Sequence, residues 1–146
     1  NIPLLVKSFL NKDLEGTVIS KNPNKQLPPI IVHKSNQVLI KFKSKDFSFV
    51  EDKPIQQLHE LFNEIKIKPN LSQHTAISLL CCFDEHAEKI YQLATLAESI
   101  FDVEVERNLT LLTIRHYNKE IVEKLSCEKT ILLEQKTTET IQMIMK

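Results

Sequence analysis

Hydrophobic and polar positions change period several times along this chain, and the changes divide it into elements. "IIVHK" (Ile30 to Lys34) and "QVLIKF" (Gln37 to Phe42), separated by a polar Ser-Asn pair, each read as a short strand. From Pro54 the period lengthens. Ile55, Leu58, Leu61, Phe62 and Ile65 recur every three or four residues and line one helix face, with Pro54 suited to the first turn. "IKPNLSQHT" and "AISLLCCF" return to short or alternating runs; Ile77, Leu79 and Cys81 fall on one face of the second, Ser78, Leu80 and Cys82 on the other. "EHAEKIYQLATLAESI" is again helical through Ile90, Leu93, Ala94, Ala97 and Ile100, and "DVEVER" alternates as a strand.

Strand, helix, strand, strand, helix, strand is the split βαβ or ferredoxin-like plan, an α+β fold with an antiparallel four-stranded sheet and both helices on one face. The plan is then partly repeated. "NQVLIKF" from Asn36 is echoed by "NLTLLTI" from Asn108, and "LSQHT" from Leu71 by "LEQKT" from Leu133. The first echo is offset by 72 residues and the second by 62, so the second copy has lost ten residues, largely where the loop "KSKDFSFVEDK" has shrunk to "RHYNK". The second copy stops one helix and one strand short. "IIVHK", immediately before the first copy, is free to supply that strand, which predicts that the first unit is inserted within the second.

Glu15 to Pro29, "EGTVISKNPNKQLPP", holds the only glycine and three of the six prolines and reads as a linker. The opening "IPLLVKSFL" reads as a strand already in progress, without a starting methionine, so the chain is expected to be cut from something longer. Lys plus Arg and Asp plus Glu are both 19, so no net field favours nucleic acid or an anionic membrane. No apolar run approaches the ~20 residues of a membrane helix. Three cysteines, two of them neighbours, make no spaced disulfide framework and point to the cytoplasm.

Cys81 and Cys82 with His74 or His86 have thiolate and imidazole chemistry for a metal. Adjacent strand residues point to opposite faces, however, and the spacing does not match a structural zinc site. Arg115, His116 and Tyr117 lack any nucleophile or carboxylate at a recognisable spacing, so a strand-to-helix turn explains them better than catalysis. A phosphate-cradling loop needs several glycines, and an RNA-binding module of this fold needs strand aromatics where "AISLLCCF" has aliphatics and thiols. What remains is the loop "KSKDFSFVEDKP". If it lies at the same end of the sheet as the start of the second strand, Asp46, Ser48, Asn70, Gln73 and Thr75 surround a small polar ligand such as an amino acid, shielded by Phe47 and Phe49.

The interleaved βαββαβ units resemble the ACT regulatory region of aspartate kinases over essentially the whole chain. "VKSFLNKDLEGTVIS" resembles the end of the kinase domain, and "LLTIRHYNKEIVEKL" through "ILLEQKTTETIQMIMK" is similar to the closing segment of a bacterial, monofunctional member. The resemblance implies residues 1–28 as kinase-domain end and linker, 36–107 as a first ACT domain, and 29–35 plus 108–146 as a second, shortened one. It implies a parent enzyme that phosphorylates the side-chain carboxylate of L-aspartate with ATP and Mg²⁺, opening synthesis of lysine, threonine and methionine. The catalytic residues would lie upstream, leaving this fragment inert and without a cofactor of its own. An end-product amino acid, lysine first and threonine second, is implied between ACT units, held by Asp46, Phe47, Ser48, Phe49, Pro54 and Ile55 and by Asn70, Gln73, His74 and Thr75. The family often has a Gly before the first helix and an acid at the strand opening, where this chain has Lys53-Pro54 and Asn70. A homodimer through side-by-side ACT sheets is expected, with a purely structural dimerisation module as the alternative and an RNA-binding ferredoxin-like domain as the less favoured one.

Overall fold

Two 14-residue strands, β3 (Ile30–Lys43) and β6 (Asp102–Arg115), run antiparallel through the middle of the molecule and are shared by both halves of the fold. The computed structural model describes residues 4–6, 17–19, 27–46 and 52–146. β1 (Leu4–Val6) and β2 (Thr17–Ile19) form a small antiparallel pair, so the stretch read as a linker contributes a short strand; the rest of that stretch up to residue 26 lies outside the described residues. The remaining elements are α1 (Asp52–Ile65), β4 (Leu71–His74), β5 (Ser78–Asp84), α2 (Ala87–Ala97), α3 (Lys119–Ser126), β7 (Ile131–Lys136) and β8 (Thr140–Met145). All six larger strands make one antiparallel sheet in the order β4-β5-β3-β6-β8-β7.

That order is two ferredoxin-like sheets fused through their long strands. Gln37–Lys43 pairs with β5 on one side and, from Leu39 on, with Asp102–Glu106 on the other, completing the first unit. Ile30–Lys34 pairs with Leu111–Arg115 and occupies the fourth-strand position of the second unit, beside β6, β8 and β7. "IIVHK" and "QVLIKF" are thus one strand, as are "DVEVER" and "NLTLLTI". The polar residues between them mark bulges instead of ends: Asn36 and Asn108 stand at φ 53° and 59°, and the β3–β6 register slips between Lys34 and Leu39. Asparagine visits the left-handed region at less cost than most residues, and a bulge bends and twists its strand.

The bend separates three apolar layers. Val38, Ile40, Phe42, Leu79, Cys81 and Phe83 meet Leu58, Phe62, Ile90 and Leu93 of α1 and α2. On the reverse face, Leu39, Leu71 and Cys82 of the first unit pack with Leu109, Leu111, Leu133 and Ile144, so the curled sheet brings the two units against each other. Leu112, Ile114, Ile141 and Met143 are covered by Ile121, Val122 and Leu125 of α3. The outer strands also approach one another, since Gln135 Nε2 donates to Ser72 O at 2.6 Å. Among the described residues no helix is long and apolar enough to cross a membrane.

Helix ends repeat as well as strands. Ile67 N–H donates to Phe62 O at 3.0 Å and Lys66 N–H to Asn63 O at 3.3 Å, the paired bonds of a Schellman cap, with Lys66 at φ 59° where glycine is usual. Glu128, 62 residues on, takes φ 60° after α3. Each is a side chain held in the left-handed region, at a cost of about 1 kcal/mol. Lys66→Gly is expected to stabilise the chain by about 0.5–1 kcal/mol, seen as a higher urea midpoint at unchanged slope.

Candidate functional site

A ligand site built from the loop after Lys43 and the start of β4 requires both at one end of the sheet, and the register separates them. Lys43 pairs with Ser78, and Gln37 with Asp84, so these ends lie six residues or about 20 Å of strand apart. β4 and the first-unit half of β3 are both antiparallel to β5, hence parallel to each other. A helix crossover carries the chain back before a parallel strand begins, so β4 starts at the far end from the loop and finishes near it. Asn70 is therefore remote from Asp46, contrary to the expectation from sequence.

The loop end does gather several expected residues. Ser44 Oγ donates to Asp46 Oδ1 at 2.7 Å, and Ser44 N–H to Ile77 O at 2.9 Å. Thr75 and Ser78 close the β4–β5 turn: Thr75 N–H donates to Ser78 O at 2.8 Å, Ser78 N–H to Thr75 Oγ1 at 3.1 Å, and the two hydroxyls lie 2.7 Å apart. Pro54 and Ile55, both half-buried, sit in the first turn of α1, and His74 is exposed at the end of β4. The positive end of the α1 dipole faces this end of the sheet and would favour a carboxylate there. Gln73 stands opposite Leu80, on the reverse face, with its Oε1 buried and without a hydrogen-bond partner among the described residues. Phe47, Ser48 and Phe49 lie outside the described residues.

At the opposite end, Asn70 belongs to a closed polar network. Its Nδ2 donates to Gln37 Oε1 at 2.9 Å and Asp84 Oδ1 at 3.0 Å, and its Oδ1 accepts from Lys34 Nζ at 3.2 Å. Lys34 Nζ also reaches Asp84 Oδ1 at 3.1 Å and Oδ2 at 3.3 Å. Gln37, only 1% exposed, donates to Asp84 Oδ1 at 2.8 Å and to Ser35 O at 3.2 Å, and accepts from Cys82 Sγ at 3.4 Å. Every polar atom of this buried amide is engaged. The Gln37 amide, then the Lys34 ammonium and the Asn70 amide, hold the Asp84 carboxyl below its ordinary range. Lys34 stands in the segment that completes the second unit, while Asn70 and Asp84 belong to the first, so the network ties the units together. Sequence gave no spacing signal for it, because its members are up to 50 residues apart.

In the second unit Arg115, His116 and Tyr117 form the strand-to-helix turn. His116, at φ 55°, donates its N–H to Glu139 O, as Ser44 does to Ile77; Thr137 N–H donates to Thr140 O at 2.8 Å, as Thr75 does to Ser78. Tyr117 Oη donates to Thr137 O at 2.8 Å, and Asn118 caps α3 by accepting from Ile121 N–H at 2.9 Å. An open cleft of about 440 Å³ lies here, walled by Pro28 and Pro29 on one side and by His116, Tyr117 and Glu139 on the other. Cys81 and Cys82 point into different apolar layers, as strand alternation requires. Burial pushes the Cys81 thiol up to about 12 and the Cys82 thiol to about 11, so neither is a nucleophile near neutrality.

Two outcomes follow from these environments. Cys127, which is exposed, is expected to react with a disulfide reagent under native conditions, while Cys81 and Cys82 react only on unfolding; thiol titration with and without denaturant checks this. Because the Asp84 pKa is lower folded than unfolded, its contribution to stability is fully present above the unfolded value of 3.8 and is lost as pH falls through the folded one. The stability gap between wild type and Asp84→Asn in urea titrations is expected to hold from pH 7 to about pH 5 and to close below about pH 4.

No family model and no curated protein matches the sequence. Solved structures do match the fold. A C-terminal regulatory domain of aspartate kinase from Porphyromonas gingivalis, itself described as putative, superposes over 82% of this chain and 86% of its own at TM-score 0.68 and 14% identity. Escherichia coli aspartokinase III, in complex with lysine and aspartate in its T-state, covers 98% of this chain at TM-score 0.66 and 17% identity. Clostridium acetobutylicum aspartate kinase covers 99% at TM-score 0.70 and 13% identity. The chain spans 35% and 38% of the length of these two enzymes. At such identities the likeness is one of fold, and the fold is that of the paired ACT-type units in the regulatory regions of aspartate kinases.

Proposed function

We propose that this chain is the regulatory region of an aspartate kinase, binding an end-product amino acid and biasing a kinase domain that precedes it. The observation that carries this reading is the superposition of both units, with the first inserted in the second, on nearly the whole chain length. The parent reaction is transfer of a phosphoryl group from ATP, with Mg²⁺, to the side-chain carboxylate of L-aspartate, in the cytoplasm. Its catalytic residues lie outside this chain, which is inactive alone. Lysine is the first candidate effector, in keeping with the lysine bound to the E. coli enzyme, and threonine the second.

The effector site is the loop end of the first unit: Asp46, Phe47, Ser48 and Phe49, the α1 start at Pro54 and Ile55, and His74 and Thr75. Dimerisation accounts for Asn70. If β4 pairs antiparallel with β4 of a second copy, with Gln135 moved off Ser72 O, the strand start of one copy meets the strand end of the other. Asn70 of each copy then joins the loop end of its neighbour. Gln73 faces the units' shared layer instead, opposite Leu80. An effector held between copies can favour one arrangement of the dimer over another by its differential affinity, which is all that allosteric inhibition requires.

Calorimetry on the dimeric chain with lysine, threonine and methionine tests the reading. Heat is expected with one of them, weakened about tenfold or more by Ser48→Ala through the loss of a hydrogen bond to a charged group. No heat with any of the three, while sedimentation reports a folded dimer, would leave the module a purely structural one.

A further inference from the structure

The reverse face of the first unit's sheet, where it meets the second unit, carries a second polar constellation. Directly paired residues of antiparallel strands share a face. Leu80, Lys41 and Glu104 therefore form one row across β5, β3 and β6, and Cys82, Leu39 and Glu106 the row beside it. Leu132 of β7 closes over them, leaving an open cavity of about 360 Å³, within the size range of small-ligand sites. Its floor is Leu39, Leu80 and Leu132; its polar groups are one cation, Lys41, and two carboxylates, Glu104 and Glu106.

These charges are not spent on one another. Lys41 and Glu104 are direct cross-strand partners, yet neither makes an ion pair or side-chain hydrogen bond among the described residues. Glu106 has a cation, Lys146 Nζ, at 3.4 Å from Oε1. An unpaired cation beside an unpaired anion above a leucine floor is complementary to a molecule bearing a carboxylate, an ammonium and an apolar group within a few ångströms. A simple anion would leave Glu104 unanswered, and a simple cation would leave Lys41. The same face holds Gln73 Oε1, a buried acceptor without a partner among the described residues, one strand beyond Leu80.

We infer that this inter-unit cavity binds a free apolar α-amino acid, its carboxylate on Lys41, its ammonium on Glu104 and Glu106, and its side chain on Leu39, Leu80 and Leu132. The site is separate from the loop end, on the other face of the sheet, and does not depend on the effector proposed there. Placed between the units, it would stabilise the curled arrangement that closes the cavity.

Methyl-resolved NMR of the chain titrated with L-leucine tests this, with 4-methylpentanoate and 3-methylbutylamine as ligands that each lack one charge. Saturable shifts of the Leu39, Leu80 and Leu132 methyls are expected, with each analogue and each of Lys41→Met and Glu104→Gln weakening binding about tenfold or more. Ser48→Ala is expected to leave leucine binding unchanged. No saturable shift, equal binding of either analogue, or binding that survives both substitutions would overturn the site. Loss of leucine binding in Ser48→Ala would overturn it too, by moving the ligand to the loop end and leaving that reading intact.

Discussion

The fold depends on the antiparallel pairing of β3 with β6 and on the two asparagines that bend it. Each strand serves one unit with its first half and the other with its second, so neither unit has a complete sheet without the pair. A straight 14-residue pair would present one flat face to both halves. The left-handed residues Asn36 and Asn108 twist the strands, and the twist turns the reverse faces toward each other, allowing Leu39 and Leu71 to reach Leu109, Leu133 and Ile144. Without that layer, the buried leucines would be left on an open sheet, each exposure costing about 1.5–3 kcal/mol.

The polar network at the bulge is a consequence of the same bend. Breaking the register at Asn36 leaves Gln37 buried beside the end of β5, where an amide must find partners on both its atoms or cost about 1–3 kcal/mol. Asp84, Asn70 and Lys34 supply them, and the ion pair they contain is half-exposed and weak by itself. Its worth lies in geometry: Lys34 can reach Asp84 and Asn70 only while the bulge holds the second unit's edge strand in place.

The architecture was legible because it is written twice. Asn36 and Asn108 open both copies of the strand motif, and the same residues turn out to be the bulges; Leu71 and Leu133 open the second-strand echo and meet in one apolar layer. The free "IIVHK" could be assigned because a four-stranded plan with three strands leaves one place to fill. Strand continuity through Ser35-Asn36 was not legible, since polar residues in a row signal a turn and a bulge alike. The site was read less well. Placing Asn70 at the loop end takes the second strand to start there, whereas the sense of β4 follows from the crossover and puts its start at the other end. Lys34, Gln37 and Asp84 carried no shared motif, and only the register reveals that they converge.

Alternation along a strand has a further consequence for how the two faces can work together. Odd and even residues of β3 point into different layers: Val38, Ile40 and Phe42 fix the helices, while Leu39 and Lys41 face the second unit. A shift of β3 by a fraction of a residue would be felt on both faces at once, by α1 above and by β7 below. Packed layers of this kind move between discrete arrangements more readily than they deform. The long strands are therefore a physical route by which the start of α1 and the seam between the units can bias each other, and any such coupling must act equally in both directions.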